Sequence, residues 1–191
     1  TATATKSTMN ILVIGSGARE HAIVRALDRS PKDKEIFCLG SNVNPGIAEL
    51  CADLTVANIN DTHTITSYAE KRAVDLAIIG PENPLAVGAA DVLWDRGVMV
   101  VGPMKDLAQI ETSKAFTRDL LTEYNIPACP KYKTFSSLSG VAEFLGELGE
   151  NYVVKYDGLA GGKGVKVSGD HLHSHDDAKI YCQELVEKGG V

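Results

Sequence analysis

Cysteine is scarce in this sequence, and the four cysteines are widely spaced. They are Cys38, Cys51, Cys129 and Cys182 of 191 residues, and no C-x-x-C motif joins any two of them. Neither a disulfide framework nor a zinc site is indicated, so reduced thiols are expected. Reduced thiols favour an intracellular, cytoplasmic protein.

Long apolar runs and runs of positive charge are also missing. No apolar stretch reaches the roughly 20 residues that a transmembrane helix needs, so we expect no membrane partner. Lys and Arg number 19 against 25 Asp and Glu, for a net charge of −6, and nucleic acid is therefore not an expected partner. A phosphate ligand would have to be bound by local positive groups.

The first eight residues, TATATKST, are polar and of low complexity. They precede Met9, which is the more natural start of a fold. We predict that residues 1–8 are a leader, left by processing or by cloning, that takes no part in the core. Hydrophobic residues make up 44% of the chain and charged residues 23%, which is typical of a globular protein with one medium or two small domains.

Residues 9–111 alternate apolar runs with helical patterns. The runs MNILVIG, EIFCLG, LTVANI, DLAIIG and VMVVG are typical of buried strands. Helices are predicted over 18–28, from Asp61 or Thr62 to Arg72, and over 84–96 with Gly97 past the end. This alternation predicts an α/β domain with an open, parallel, Rossmann-like sheet. The loops GSGARE, GSNVNPG and GPENPL should then face one cleft at the carboxyl edge of the sheet.

The pattern changes after residue 111. A helix begins in TSKAF and IPACP then breaks the chain, so residues 112–130 are predicted to be a linker helix and loop. In residues 131–191 we predict a strand at KYKTF, a helix over 136–148, a glycine-rich hairpin between YVVKYDG and GVKVSG, and a last helix over 174–188. This second region is predicted to be a small α+β unit.

The first glycine loop, GSGARE at 15–20, carries part of a dinucleotide-binding fingerprint. That fingerprint needs glycine or alanine where Glu20 stands, and an acidic residue after the second strand, where none follows. A nicotinamide cofactor is therefore disfavoured. A helix start with Arg19 in its first turn suits one compact anion, such as a phosphate monoester. The alternative is a plain strand-to-helix turn.

Glu82 follows the apolar run that ends at Gly80. A carboxylate at the binding edge suits sugar hydroxyls or an amine. The alternative is a solvated acid in the first turn of a helix, where the helix dipole favours it. The residue is therefore a candidate for contact with a substrate.

The glycine-rich hairpin is the most specific motif. Lys155 lies on its first strand and Lys163 in its loop. It is not a P-loop, because a strand rather than a helix follows it. Backbone N–H groups and two ammonium groups suit the phosphates of a nucleotide. The alternative is a mobile turn with a solvated lysine.

Lys114 begins a helix that Thr112 or Ser113 can cap. A cation in the first turn opposes the helix dipole, so a compensating negative group is expected nearby. The alternative is a solvated surface lysine.

His171, His173 and His175 alternate in HLHSHDD and suggest a metal site. Ser174 and Asp177 form a capping box, however, and helix initiation explains most of this pattern. The sequence therefore favours a structural role for the three histidines.

Taken together, LVIGSGAREHAI, IIGPENPL, ETSKAF and VVKYDGLAGGKGV make the chain similar to the phosphoribosylamine–glycine ligases, or glycinamide ribonucleotide synthetases, of the ATP-grasp superfamily. The match covers nearly the whole chain from Met9. The resemblance implies an N-terminal substrate-binding domain followed by the lid subdomain of an incomplete ATP-grasp domain. It also implies an ATP-dependent, ADP-forming ligase of purine biosynthesis, which joins glycine to 5-phosphoribosylamine through glycyl phosphate.

The resemblance also implies two sets of binding residues. The substrate set is Gly15, Gly17, Arg19, Glu20, Asn44, Gly46 and Glu82, with Glu82 at the ribose end. The ATP set is Lys114, Lys155, Gly158, Gly161, Gly162, Lys163 and Gly164. Ligands for Mg²⁺ or Mn²⁺, the catalytic residues and the glycine site are expected outside this chain.

Family members continue well beyond Val191, so the resemblance implies a fragment that has no turnover alone. GLAGGKG stands where GLAAGKG is usual, which should loosen the loop. Two alternatives stay open. One is another ATP-grasp enzyme of purine or carboxylate metabolism, and the other is a non-catalytic nucleotide-binding module.

Overall fold

A computed structural model of the chain describes residues 8–191. The chain divides into two compact units, the first ending at Ala108 and the second spanning Gln109–Val191. The predicted leader, residues 1–8, lies outside the described residues except for Thr8. The Thr8 hydroxyl donates a hydrogen bond to the Asp33 carboxylate.

The first unit is built on a five-stranded sheet. Its strands are β1 (Met9–Ile14), β2 (Lys34–Gly40), β3 (Asp53–Val56), β4 (Leu76–Ile79) and β5 (Met99–Val101), in the spatial order β3-β2-β1-β4-β5. Every pairing is parallel, which confirms the predicted open, Rossmann-like sheet. The strand order reverses between β1 and β4, and ligands bind at the carboxyl edge beside such a point.

Six helices accompany these strands in sequence. They are α1 (Ala18–Asp28), α2 (Pro45–Ala48), α3 (Thr62–Lys71), α4 (Glu82–Ala86), α5 (Ala89–Trp94) and α6 (Lys105–Thr112). The predicted bounds of α1 are confirmed. So is the cap of α3, where the Asp61 carboxylate accepts the Thr64 amide at 2.9 Å. Throughout residues 8–191, each helix is too short or too polar to cross a bilayer.

Two of the helix assignments differ from the sequence analysis. The single helix predicted over 84–96 is wrong, because Gly88 has a φ of 88° and separates α4 from α5. Helix α6 was not predicted. The Asp91 carboxylate accepts the amide of Lys105 at 2.9 Å, from 14 residues earlier in the chain. A cap from that distance leaves no local sequence signal.

Both faces of the sheet are buried. Successive side chains of a strand point to opposite faces, so neighbouring residues of one strand belong to different clusters. Leu12 and Ile14 belong to one apolar cluster, while Val13 and Cys38 belong to another. Burial raises the pKa of the Cys38 thiol to about 12, so this thiol stays protonated at neutral pH. All four cysteines are free, as predicted.

The second unit combines a hairpin with helices. Its elements are α7 (Lys114–Glu123), α8 (Val141–Leu148), β6 (Val153–Lys155), β7 (Val165–Val167) and α9 (His175–Lys188). Strands β6 and β7 pair antiparallel, which confirms the hairpin. Ser174 caps α9 by accepting the Asp177 amide at 3.1 Å, also as predicted. A separate core includes Val141, Leu145, Tyr152, Val154, Leu172, Ala178, Tyr181, Cys182 and Leu185.

The strand predicted at KYKTF is wrong, and the helix predicted over 136–148 begins later than expected. Phe135 exchanges both backbone hydrogen bonds with Val191, at 2.7 and 3.1 Å. A strand needs a partner along its length, and within residues 8–191 the ladder of this segment is limited to that pair. Helix α8 starts only after Gly140, whose φ is 82°.

Candidate functional site

Three loops of the first unit follow β1, β2 and β4, and hydrogen bonds connect the first two. The buried Ser16 donates its hydroxyl to Oδ1 of Asn42. Asn44 donates from Nδ2 to the Ser16 carbonyl at 3.1 Å, and its Oδ1 accepts the Ile47 amide at 3.3 Å. The predicted substrate residue Asn44 therefore has protein partners at both ends of its side-chain amide.

Glu20 is the buried acid of this edge, only 5% exposed. Its Oε2 accepts the Gly17 amide at 2.7 Å, while its Oε1 is buried without a hydrogen-bond partner. A Cβ at Gly80 would lie 2.1 Å from Oε1, and a Cβ at Gly15 would lie 2.8 Å from Cγ of Glu20. The glycines therefore make room for Glu20. This side chain occupies the position where a dinucleotide fingerprint needs close helix–strand packing.

Arg19 projects from the first turn of α1, and its side chain is 62% exposed. Its Nη2 lies 3.6 Å from Oε2 of Glu82, and its Nε lies 3.6 Å from Oε1 of Glu20. The structure thus brings together residues that were predicted separately from two loops. Two carboxylates partly compensate the guanidinium, so an incoming phosphate would compete with them.

His21 belongs to this edge but was not among the predicted site residues. A Cβ at Gly46 would lie 2.5 Å from Nε2 of His21, so the predicted substrate residue Gly46 allows the second loop to pack on the imidazole. The available sequence signal was the place of His21 within the first turns of α1, two residues after Arg19.

In the second unit, Lys114 and Lys155 line one pocket of 590 Å³. Its apolar lining includes Phe135, Phe144 and Val154. Three cations also line this pocket and were not predicted, namely Arg118, Lys131 and Lys133. An apolar wall beside several cations suits a ligand with a ring at one end and phosphates at the other.

The glycine loop, residues 156–164, has a packed root and an open tip. At the root, a Cβ at Gly158 would lie 2.6 Å from Cε1 of Tyr156, and a Cβ at Gly164 would lie 2.9 Å from Cβ of Tyr156. At the tip, Gly161 and Gly162 have φ values of 53° and 78°, and no atom lies within 4 Å of an added Cβ. The four predicted glycines therefore have different structural roles.

Lys163 lies at the exposed tip of this loop. Its amide donates to the Ala160 carbonyl at 2.9 Å, which closes a tight turn. The side chain of Lys163 does not line the pocket that holds Lys114 and Lys155. The structure therefore brings together two of the three predicted lysines.

Asp157 joins the glycine loop to α7 and was not predicted as a site residue. Its Oδ1 accepts the amides of Lys114 at 2.6 Å and Ala115 at 3.1 Å. The ammonium of Lys114 donates to the Gly158 carbonyl at 2.7 Å. Asp157, 43 residues further along the chain, thus places a negative group at the start of this helix, against its amides and not against the Lys114 ammonium.

The histidine-rich turn has structural partners. His171 accepts the Val167 amide through Nδ1 at 3.3 Å, and Nε2 of His175 lies 3.0 Å from the Gly149 carbonyl oxygen. His173 donates its amide to Asp177 at 3.0 Å. Across residues 8–191, no group of three or more His, Cys, Asp or Glu side chains is arranged to hold a metal ion. The contacts of the three histidines are therefore those of a turn and a helix start.

Comparison with known sequences gives consistent matches. The chain is 44% identical over 183 residues to a phosphoribosylamine–glycine ligase of Methanosarcina barkeri, covering 96% of this chain and 42% of that protein. It is 48% identical over 184 residues to the ligase of Methanococcus vannielii, covering 94% and 41%. The chain thus spans about two fifths of the length of these curated relatives.

Solved structures share the fold at lower sequence identity. A phosphoribosylamine–glycine ligase from Thermotoga maritima matches with a TM-score of 0.70 at 22% identity, over 95% of this chain and 41% of that one. An ADP complex of N5-carboxyaminoimidazole ribonucleotide synthetase matches with a TM-score of 0.71 at 19% identity, over 95% and 45%. These likenesses show that the chain shares its fold with both proteins.

Two family models match consecutive parts of the sequence. The phosphoribosylglycinamide synthetase N domain matches residues 9–111, and the ATP-grasp (A) domain of the same synthetase matches residues 112–190. The first match alone covers more than half of the chain. The chain therefore belongs to the phosphoribosylglycinamide synthetase family.

Proposed function

We propose that this chain is the part of a phosphoribosylamine–glycine ligase that binds 5-phosphoribosylamine and the phosphates of ATP. The complete enzyme would join glycine to 5-phosphoribosylamine in purine biosynthesis and release ADP. Family membership supports this activity. The observation that carries the proposal is the pairing of charged residues within each unit. Arg19 lies 3.6 Å from Glu82 in one unit, and Lys114 and Lys155 line the same pocket in the other.

In the first unit, the substrate phosphate would bind at the start of α1. The first-turn amides of a helix are free to donate, and the helix dipole favours an anion there. Arg19 adds the charge, and Glu82 lies 3.6 Å from Arg19, where it would accept ribose hydroxyls or the amine. The substrate-binding domain would span residues 9–111.

In the second unit, Lys114, Lys155 and Lys163 would neutralise the phosphates of ATP. The glycine carboxylate would attack the γ-phosphoryl group and release ADP, and the ribosylamine nitrogen would then attack the glycyl carbonyl and release phosphate. Such steps are accelerated mainly by positioning and by charge neutralisation on the phosphoryl oxygens. Residues 112–130 would act as linker, and residues 131–191 as the first part of the ATP-grasp domain.

A metal ion would enter with ATP. When bound, Mg²⁺ or Mn²⁺ supplies further neutralisation of the phosphates. Its protein ligands, like the glycine site and the catalytic residues, are expected outside this chain. The roles of the lysines above do not depend on where those ligands lie.

Exchanging single cations tests the two-site assignment. Arg19→Ala should raise the Kd for ribose 5-phosphate about tenfold and leave the Kd for MgATP unchanged, because one charge-assisted contact is lost in one site only. Lys155→Ala should raise the Kd for MgATP about tenfold and leave the Kd for ribose 5-phosphate unchanged. Titration calorimetry of the 191-residue chain measures both.

The matched control is Arg25→Ala, which removes the same charge from an exposed position near the other end of α1. It should change neither affinity by more than about twofold. If Arg19→Ala weakens both ligands equally, the assignment of two separate sites is wrong.

A further inference from the structure

The start of α7 is capped twice, once locally and once from the glycine loop. Ser113 accepts the Phe116 amide through Oγ at 3.1 Å, which is an ordinary helix cap. The same Oγ lies 3.2 Å from Oδ2 of Asp157 and donates to it. With the amides of Lys114 and Ala115 bound to Oδ1, both oxygens of the Asp157 carboxylate are engaged at this helix start.

The loop root is also attached at the end of α9. The Tyr156 hydroxyl donates to the Lys188 carbonyl at 3.3 Å, and the Asp157 amide donates to the Gly190 carbonyl at 3.4 Å. The tip, by contrast, contains Gly161 with open space around it. Motion of the loop should therefore be confined to its tip, while Asp157 keeps a fixed place against α7.

We propose that Asp157 is a positioning residue of the nucleotide site, which acts by holding Lys114 and the root of the glycine loop in one frame. The proposal rests on the nucleotide site proposed above. Lys114 is fixed at both ends of the residue, by its amide on Asp157 and by its ammonium on the Gly158 carbonyl. An ammonium held in place before the ligand arrives loses less conformational freedom on binding.

The direction in which Asp157→Asn changes the affinity for ATP distinguishes a positioning role from simple electrostatic repulsion. A carboxylate close to a bound polyphosphate repels it, so removing the charge of Asp157 should by Coulomb's law strengthen ATP binding. Positioning predicts the opposite, because Asp157→Asn replaces the anionic acceptor at the start of α7 with a weaker, neutral one and so loosens the hold on Lys114. Asparagine keeps the size of the side chain and one acceptor oxygen.

The test uses ¹⁵N-labelled 191-residue chain titrated with MgATP and followed by NMR. Asp157→Asn should speed hydrogen exchange of the Lys114 and Ala115 amides and raise the Kd for MgATP about fivefold or more. Asp170→Asn is the matched control, since it removes the same charge from an exposed residue of the second unit. It should alter neither quantity.

A double-mutant cycle excludes a merely structural effect. In a Lys114→Ala background, Asp157→Asn should change the Kd for MgATP by less than about twofold, because the group it positions is gone. Equal effects with and without Lys114 overturn the proposal, as does tighter MgATP binding by Asp157→Asn. If the unsubstituted chain does not bind MgATP, the nucleotide site itself fails and the proposal falls with it.

Discussion

Glu20 and the glycines around it pack as one unit at the carboxyl edge of the sheet. Its carboxylate is enclosed by Gly15, Gly17 and Gly80, at each of which a Cβ would approach within 3 Å. The motif GSGARE therefore differs from a dinucleotide loop for a packing reason. The space that a third glycine leaves free in that loop is filled here by a side chain.

This packing predicts the effect of Gly80→Ala. The added Cβ would lie 2.1 Å from Oε1 of Glu20, so the free energy of unfolding should fall by about 1–3 kcal/mol. In a Glu20→Ala background the same change should cost less than about 0.5 kcal/mol, because the clashing atoms are absent.

Urea unfolding followed by the fluorescence of Trp94 measures both costs. Trp94 is the one tryptophan of the sequence and lies on α5, so its signal reports the first unit. An equal cost of Gly80→Ala with and without the Glu20 side chain would contradict the packing account.

The sequence indicates candidate charged residues for the two sites, whereas it does not reveal their partners in the fold. Arg19 and Glu82 follow the apolar runs of β1 and β4 within a few residues, and in an open parallel sheet the strand ends define the binding edge. The contact of Asp157 with Lys114 joins positions 43 residues apart, which no local pattern encodes. The packing of His21 on Gly46 is likewise a long-range contact.

The starts of helices show the same division. Asp61 and Ser174 cap the helices that follow them directly, and both caps were predicted from the sequence. Asp91 caps α6 from 14 residues away, and that helix was missed. A cap formed by the residue next to a helix can be predicted from the sequence. A cap formed by a distant residue can be recognised only once the fold is known.

The prediction of β1 and β2 rested on apolar runs that are buried on both faces. The apolar runs of β1 and β2 need no knowledge of their partners, because both faces of the sheet are covered. KYKTF alternates in the manner of a strand, but its ladder depends on pairing that the sequence does not reveal. In the structure only Phe135 of this segment pairs, with Val191.

A polar cluster connects β3 to α3. Oδ2 of Asp53 accepts from the Tyr68 hydroxyl at 2.7 Å, from Arg72 at 2.8 Å and from the Thr55 hydroxyl at 2.9 Å. The hydrogen bond from Tyr68, followed by the contacts with Thr55 and Arg72, lowers the pKa of the Asp53 carboxyl below its ordinary value of 3.8. The cluster therefore stabilises the folded state only while Asp53 is ionised.

Stability of the first unit should depend on this ionisation. A lowered carboxyl pKa contributes stability above the ordinary value, and the contribution is lost as the pH falls below about 4. Asp53→Asn should lower the free energy of unfolding by about 1 kcal/mol at pH 7 and by less at pH 3. Urea unfolding at the two pH values, followed by Trp94 fluorescence, measures the difference.

Asp28→Asn serves as the control for this experiment, because Asp28 is an exposed acid of the same unit at the end of α1. Its cost should not show the same dependence on pH. A cost of Asp53→Asn that stays constant between pH 7 and pH 3 would rule out the assigned role of the cluster.

The two units each have their own core. The first has apolar clusters on both faces of its sheet, and the second has a cluster between its helices and hairpin. Each proposed ligand set also belongs to a single unit, with Arg19 in the first and Lys114 in the second. Binding of the two ligands can therefore be tested separately in this chain.

The 191-residue chain alone should not turn over its substrates. Metal ligands, the glycine site and the catalytic residues are expected elsewhere, and the chain spans about two fifths of its curated relatives. A coupled assay of ADP release with 5-phosphoribosylamine, glycine and MgATP should give no signal above the buffer. Substantial ADP release that requires all three substrates would contradict this expectation.

Sugar phosphate and nucleotide should bind to different units of the chain. Mapping amide shifts of ¹⁵N-labelled chain during two NMR titrations tests it most directly. Ribose 5-phosphate should shift the amides of residues 15–20, Gly80 and Glu82, and MgATP should shift the amides of residues 113–115 and 156–164. Shifts of residues 15–20 by MgATP, with none in the glycine loop, would contradict the account.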